Sequence, residues 1–257
     1  MAGVGASSLF SKDASAQTTV TINDAAILQF ALNLEYLEAE FYTYALTGQS
    51  ITAMGVSISG QGTAGATTGG QQVNFINNST LALSVAQIAA DERAHVTLLQ
   101  GAITSLGVTP IAKPAINLNA LGIGFQSQEA FLALARAFED VGVSAYGGAA
   151  PLISSSAILA TAARILATEA EHSGNLRLHC ALYLAQTAAL DGADYAPPPT
   201  GTRFIPTNAS GLTPVRTPGQ VLNIAYGGQS GATSGGFFPN GVNGTLNTST
   251  APATSNM

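Results

Sequence analysis

Three histidines occur in the 257 residues, at positions 95, 172 and 179. Two of them stand three residues after a glutamate, in Glu92-Arg93-Ala94-His95 and in Glu169-Ala170-Glu171-His172. On a helix, positions i and i+3 project from one face, so a carboxylate and an imidazole at that spacing can reach a single cation. Two further segments place a glutamate and a tyrosine two helical turns apart, Glu35 with Tyr42 and Glu139 with Tyr146, which again keeps both side chains on one face. The chain therefore repeats one device: Glu-x6-Tyr, then Glu-x-x-His. Glu35 to Glu92 spans 57 positions and Glu139 to Glu169 spans 30. The excess is about the length of the Gly/Ser/Thr-rich stretch 48–78, so the pattern reads as two related helical hairpins with a loop inserted in the first.

Brought together inside a bundle, Glu35, Glu92, His95, Glu139, Glu169 and His172 are the ligand set of a two-metal carboxylate site. Oxygen-rich donors with two imidazoles suit iron or manganese, and two divalent ions would balance four carboxylates. Glu35 and Glu169 are expected to bind terminally or as bridges; spacing does not divide them. Glu38 lies one turn from Glu35 and is the rival ligand on that helix, with Glu35 preferred. Tyr42 and Tyr146 either hydrogen-bond the ligand carboxylates or are core tyrosines with satisfied hydroxyls. Glu40, Glu171 and Asp91 are expected to face solvent or to support ligands from behind. Asp140 can pair with Arg136 at i, i+4. His179 has a structural role near a helix end, and Cys180 is a small core residue.

The elements that must hold these groups are legible in the apolar period, which is helical in four places. The first segment runs from about Asn23 to Thr47, with Asn23 as N-cap and Gly48 as stop. The second runs from about Ser79 to Ser105, the third from Ser127 to Tyr146 before Gly147-Gly148, and the fourth from about Ser155 to Leu190. Stretches 48–78 and 107–126 read as irregular connections. Pro197-Pro198-Pro199 breaks the helical pattern. The division is an N-terminal arm over 1–22, a four-helix bundle over 23–195 and a Gly/Ser/Thr/Pro-rich tail over 196–257. The tail is expected to wrap the bundle or touch neighbouring subunits.

Composition narrows the function. Only 9% of residues are charged and the net charge is −6, so nucleic-acid binding is not expected. One cysteine excludes an internal disulfide framework and any Cys-based cluster. No run of apolar residues is long enough to span a bilayer. Residues 1–16 end in Ala14-Ser15-Ala16, like a secretory A-x-A cleavage site, although a basic n-region is absent; the other reading is a Ser/Ala-rich arm. With few lysines, and N-x-[ST] sequons at Asn77, Asn78, Asn208, Asn243 and Asn247 marking exposed polar loops, export is the expectation.

The segments ALNLEYLEAEFY (31–42), AADERAHVTLLQ (89–100), FEDVGVSAY (138–146) and ILATEAEHSGNLR (165–177) resemble the ferritin-like domain family that includes the plant desiccation-related proteins. The tail phrases RTPGQVLNIAYGG (216–228) and GGFFPNGVNG (235–244) resemble that family's C-terminal segments. The resemblance implies an all-α, ferritin-like four-helix bundle with the six residues above in the positions of its di-metal ligands, and a stress association without a defined reaction. The long 48–78 connection argues against a ferritin-type storage cage. Two functions are then expected: an O2- or peroxide-linked oxidoreductase with two Fe or Mn ions, or an extracellular or cell-surface assembly subunit whose metals chiefly brace the bundle. Either would form homo-oligomers through its N- and C-terminal arms.

Overall fold

The computed structural model describes residues 22–76 and 79–255. The expected N-terminal cleavage site and the sequons at Asn77 and Asn78 lie outside the described residues. Five α-helices are present among them: α1 (Asp24–Thr47), α2 (Thr80–Ser105), α3 (Gln128–Ala149), α4 (Ser156–Leu182) and α5 (Pro218–Ala225). The four long helices open on small polar residues. Asn23, Ser79, Ser127 and Ser155 each accept a hydrogen bond from the backbone N–H three residues on, satisfying a donor the helix itself leaves unpaired.

Helix α1 packs chiefly on α2, and α3 on α4, giving two hairpins whose apolar faces close into one core. Leu32, Phe41, Leu81, Val85, Phe131, Leu132 and Leu176 are among its fully buried members, each worth about 1.5–3 kcal/mol on removal from water. Helix α1 is buried on nearly every side, because the connections and the tail cover the face that other helices leave. No helix among the described residues is long and apolar enough to cross a membrane.

The structure departs from the sequence reading at two helix ends. Helix α3 does not stop at Tyr146; it continues through Gly147-Gly148 to Ala149. The glycines serve an approach rather than a stop: a Cβ on Gly148 would lie 2.0 Å from the carbonyl oxygen of Arg216 in the crossing tail. Helix α4 ends at Leu182, eight residues before the expected Leu190. Leu184 adopts φ 57°, while Ala185 N–H donates to the Cys180 carbonyl at 2.9 Å and Leu184 N–H to that of Ala181 at 3.4 Å. This is a Schellman closure built on a leucine, so the usual glycine signal is missing.

The connections are also more ordered than their composition suggests. Thr67–Thr68 (β1) pairs in parallel with Ile116–Asn117 (β2), and Gln61 and Gly65 bond the backbone at Pro110, Ala112 and Lys113. The 48–78 stretch is thus laid along the 107–126 crossing. In the tail, Thr217 and Gln220 form a capping box that starts α5, with Pro218 in its first turn, as the geometry of that position favours.

Three fully buried arginines fasten the chain that follows α4. Arg136 reaches Asp140 at 3.2 Å, Asp194 at 2.7 Å and the Ala188 carbonyl at 2.7 Å. Arg177 reaches Asp140 at 2.6 Å and the carbonyls of Tyr195, Arg203 and Phe204 at 2.6–2.7 Å. Arg216 forks onto Asp191 at 2.9 and 2.6 Å and donates to Ser144 at 2.8 Å. Planar guanidinium groups suit this task because each can meet several fixed acceptors at once. Asp140 therefore does more than pair with Arg136; it also takes Arg177 and the Ser173 hydroxyl, each at 2.6 Å, and so joins α3 to α4. The Asn243 side chain, read as an exposed sequon, is half-buried and donates to the carbonyls of Thr63 and Ala112 at 2.9 and 2.8 Å.

Candidate metal centre

The interior of the bundle carries an unusual load. Glu35 and Glu38 come from α1, Glu92 and His95 from α2, Glu139 from α3, and Glu169 and His172 from α4, all buried. The long helices hold these groups in place, since each projects at a fixed angle from a well-packed rod.

The donors fall into two groups. Glu35, Glu92, His95 and Glu169 bring one atom each within 4.8 Å of one another, and so do Glu92, Glu139, Glu169 and His172. In the first, His95 Nδ1 lies 3.3 Å from Glu35, 3.6 Å from Glu92 and 3.4 Å from Glu169. In the second, His172 Nδ1 lies 3.1 Å from Glu92 and 3.3 Å from Glu139. The imidazole centroids are 6.3 Å apart. Glu92 and Glu169 belong to both groups, Glu35 and Glu139 to one each. That division was open in the sequence, and it sets Glu169 with Glu92 rather than with Glu35.

Nine donor atoms of these six side chains are buried without a hydrogen-bond partner: Glu35 Oε2, both oxygens of Glu92, Glu139 and Glu169, and Nδ1 of each histidine. Buried polar atoms are ordinarily paired, and an uncompensated buried charge costs several kcal/mol. Such a concentration of orphaned oxygens and imidazole nitrogens is a donor set that could hold metal ions.

The surroundings orient this set. Tyr146 donates its hydroxyl to Glu35 Oε1, which leaves Oε2 turned to His95. Tyr42 is buried with its hydroxyl 3.5 Å from the Ala135 carbonyl, and burial together with the nearby Glu139 carboxylate pushes that hydroxyl's pKa well up. His172 Nε2 lies 3.3 Å from Asp91; a carboxylate behind an imidazole fixes the ring and directs its other nitrogen inward. Asp91 thus stands behind His172, on the side away from Glu92 and Glu139. Glu171 is exposed. Glu40 corrects the expectation outright: it is fully buried and points away from the centre, accepting from Ile51 N–H at 3.2 Å and facing Lys113 at 3.5 Å. His179 is buried beside the Tyr183 ring near the end of α4, and Cys180 is a fully buried core residue.

Electrostatics of the metal-free cluster follow from crowding. Burial and the charges of Glu169, Glu92, Glu139 and Glu35 push the Glu38 carboxyl well up. Burial and the Glu35 charge lift Glu92 to about 7, against the opposing pull of the neighbouring His172 and His95. Burial and the charges of Glu92 and Glu139 hold Glu169 well above the usual range. Burial also opposes ionisation of Glu35, but His95 outweighs it and the carboxyl sits low. Burial opposes the imidazolium of His172, yet Glu139 and Glu92 raise it to about 11.

Gly142 escaped the sequence reading. A Cβ there would meet Glu169 Oε2 at 2.5 Å and Glu38 Oε1 at 3.3 Å. Its spacing, one helical turn after Glu139, carried no signal that distinguished it from other glycines.

Comparison with known proteins agrees with this arrangement at the level of family. The model of the ferritin-like domain matches residues 23–181, from the cap of α1 to the end of α4. No curated protein matches the chain.

Proposed function

The chain belongs to the ferritin-like domain family, and on that premise we propose that it is an oxidoreductase holding two divalent iron or manganese ions between its four long helices. The observation that carries this reading is the set of nine buried, unpartnered donor atoms on Glu35, Glu92, His95, Glu139, Glu169 and His172. When bound, two such ions would supply two-electron exchange with O2 or peroxide.

The protein's own residues have distinct parts in this. Glu92 and Glu169, common to both donor groups, would serve both ions. Glu35 with His95 would complete one donor group and Glu139 with His172 the other. Tyr146 restrains Glu35 through its hydroxyl, and Asp91 holds His172 with Nδ1 inward. Glu38 stands outside both groups but within their field: it is buried, and burial with the charges of Glu169, Glu92, Glu139 and Glu35 pushes its carboxyl up in protein without metal.

The test is anaerobic titration of purified, metal-free protein with Fe(II) and Mn(II), followed by O2 or peroxide addition. The expected result is two ions per chain and consumption of the oxidant, both absent in the Glu92→Ala/Glu169→Ala variant. Stoichiometric binding of less than one ion per chain would end the reading.

A further inference from the structure

The centre is approached from two sides of opposite character. Between α2 and α4 lies a polar cavity of about 150 Å³ whose lining includes Asp91, Glu171 and His172. Between α1 and α3 lies an apolar cavity of about 50 Å³. Its walls are hydrocarbon, from Leu37, Phe138, Val221 and Phe237, and its only charged lining residue is Glu38. Gly142 lines it too.

These two residues join the cavity to the cluster. Glu38 is buried and feels the charges of Glu169, Glu92, Glu139 and Glu35, yet it belongs to neither donor group. Gly142 leaves a gap where any side chain would strike Glu169 and crowd Glu38. The outer wall is supplied by α5 and by Phe237, both beyond the end of the ferritin-like match at residue 181. Phe237 is held edge-on to Phe138, centroids 5.0 Å apart. Leu121 and Ile224, exposed and half-buried, lie toward solvent. The tail thus roofs the α1–α3 groove and turns it into a pocket with one end at the centre.

Resting on the two-metal reading above, we propose that this pocket binds a small, neutral, apolar molecule and delivers it to the centre between Glu38 and Gly142. An anion would lose hydration there with no counter-group along the walls, and a cation would find only Glu38 among hydrocarbon. An apolar ligand gains from leaving water. The volume admits only a few heavy atoms, since a single water needs roughly 10–15 Å³ on this measure.

The probes are xenon and benzene. Crystals of metal-free protein under xenon pressure are expected to show a bound atom between Leu37, Phe138 and Val221. Occupancy should fall at least tenfold in both Ala225→Leu and Ala137→Leu, two separate fillings of the pocket, so that one misfolded variant does not decide the matter. Benzene binding beside xenon binding marks an organic occupant; xenon alone marks a gas of dioxygen size. In solution, the relaxation of dissolved 129Xe should quicken several-fold when Mn(II) is loaded, and the two variants should abolish that gain. Absence of xenon from the native pocket overturns the proposal. So does xenon whose relaxation ignores Mn(II) in protein shown by metal analysis to contain it. Xenon in the pocket of protein that takes up no Mn(II) or Fe(II) overturns delivery to a metal centre while leaving the pocket, and so locates the failure in the two-metal reading.

Discussion

Glu92 on α2 and Glu169 on α4 each serve both donor groups, while Glu35 and Glu139 serve one apiece. Removing a shared carboxylate should therefore cost both ions, and removing an unshared one should cost one. Glu92→Ala is expected to weaken both binding events by well over the ~10–100-fold typical of losing a residue behind a ligand. Glu35→Ala should leave one ion per chain. Metal analysis after equilibrium dialysis reads the difference directly; two tightly held ions in Glu92→Ala would contradict the shared arrangement.

Metal and protein stability should be coupled with opposite signs in the two states. A cation bound only to the folded chain stabilises it by about 2.7 kcal/mol at a hundred times its Kd. Thermal unfolding should therefore move upward with added Mn(II). In the presence of chelator the sign reverses for Glu92→Gln. That substitution removes a buried charge from among Glu35, Glu139 and Glu169, so metal-free variant should melt above metal-free native protein and respond less to Mn(II). A calorimetric scan of both proteins, with and without metal, tests the crossing.

The acid side of the pH dependence draws on two aspartates besides the lowered Glu35 carboxyl. Asp24 accepts from Ser154 N–H at 2.7 Å, the Ser154 hydroxyl at 3.0 Å and Ser155 N–H at 2.9 Å, tying the start of α1 to that of α4. The Ser154 N–H is the chief cause that holds its carboxyl low, against a smaller opposing effect of burial. Burial raises Asp191, but the Arg216 fork outweighs it and the net shift is also downward. A carboxylate whose folded value lies below its unfolded value of about 3.9 contributes stability that is complete above that pH and is lost as pH falls through the folded value. Glu92, raised to about 7, has the opposite sign and relieves the metal-free protein as pH falls from 7 toward about 4.3. Urea midpoints taken with chelator between pH ~2 and ~7 should therefore fall steeply only below pH ~4. Asp24→Asn should lower the midpoint at neutral pH and flatten that acid limb; an unchanged limb would show that Asp24 does not contribute.

The hairpins and six of the centre's side chains were legible because helical spacing is a local property. Glu-x-x-His and Glu-x6-Tyr put their residues on one face whatever surrounds them, and Asn23, Ser79, Ser127 and Ser155 announce helix starts by chemistry that needs no tertiary contact. Glu38, Gly142 and Glu40 were not resolved, because their places depend on which face meets which neighbour. Glu40 is two residues from Glu38, yet one faces Lys113 and the other the cluster of Glu169, Glu92, Glu139 and Glu35. The same holds for the glycines of α3. Their sequence signal is a helix stop, and only the crossing of Arg216 explains why they sit inside a helix instead.

Leu184 offers a test of the unsignalled end of α4. It closes the helix at φ 57° and is largely exposed. The left-handed conformation costs a non-glycine residue roughly 1–2 kcal/mol, and little packing is lost by truncating an exposed side chain. Leu184→Gly should therefore raise stability by about 1 kcal/mol, offset in part by the entropy glycine adds to the unfolded chain. A melting temperature a few degrees higher in the variant would confirm the Schellman closure. A lower one would show that Leu184 is held by contacts its exposure does not suggest.

Gly148 tests whether the tail is part of the fold or an appendage. Its missing Cβ leaves room for the Arg216 carbonyl, while Arg216 N–H donates to the Ser144 carbonyl at 3.0 Å and its side chain to Asp191 and Ser144. Alanine is the better helix former by about 1 kcal/mol, so in an isolated α3 the substitution Gly148→Ala would stabilise. In the folded chain the added methyl meets backbone that cannot step aside without breaking the Arg216 contacts, and forced packing of this kind costs about 1–3 kcal/mol. The expected net effect is destabilisation, with faster proteolysis after residue 196 and weaker xenon binding in the pocket that α5 and Phe237 roof. Helicity of a synthetic α3 peptide, higher in the variant, supplies the control for intrinsic propensity. A Gly148→Ala protein as stable and as protease-resistant as the native chain would show that the tail can be displaced freely, and that the α1–α3 pocket does not depend on where Arg216 crosses the helix.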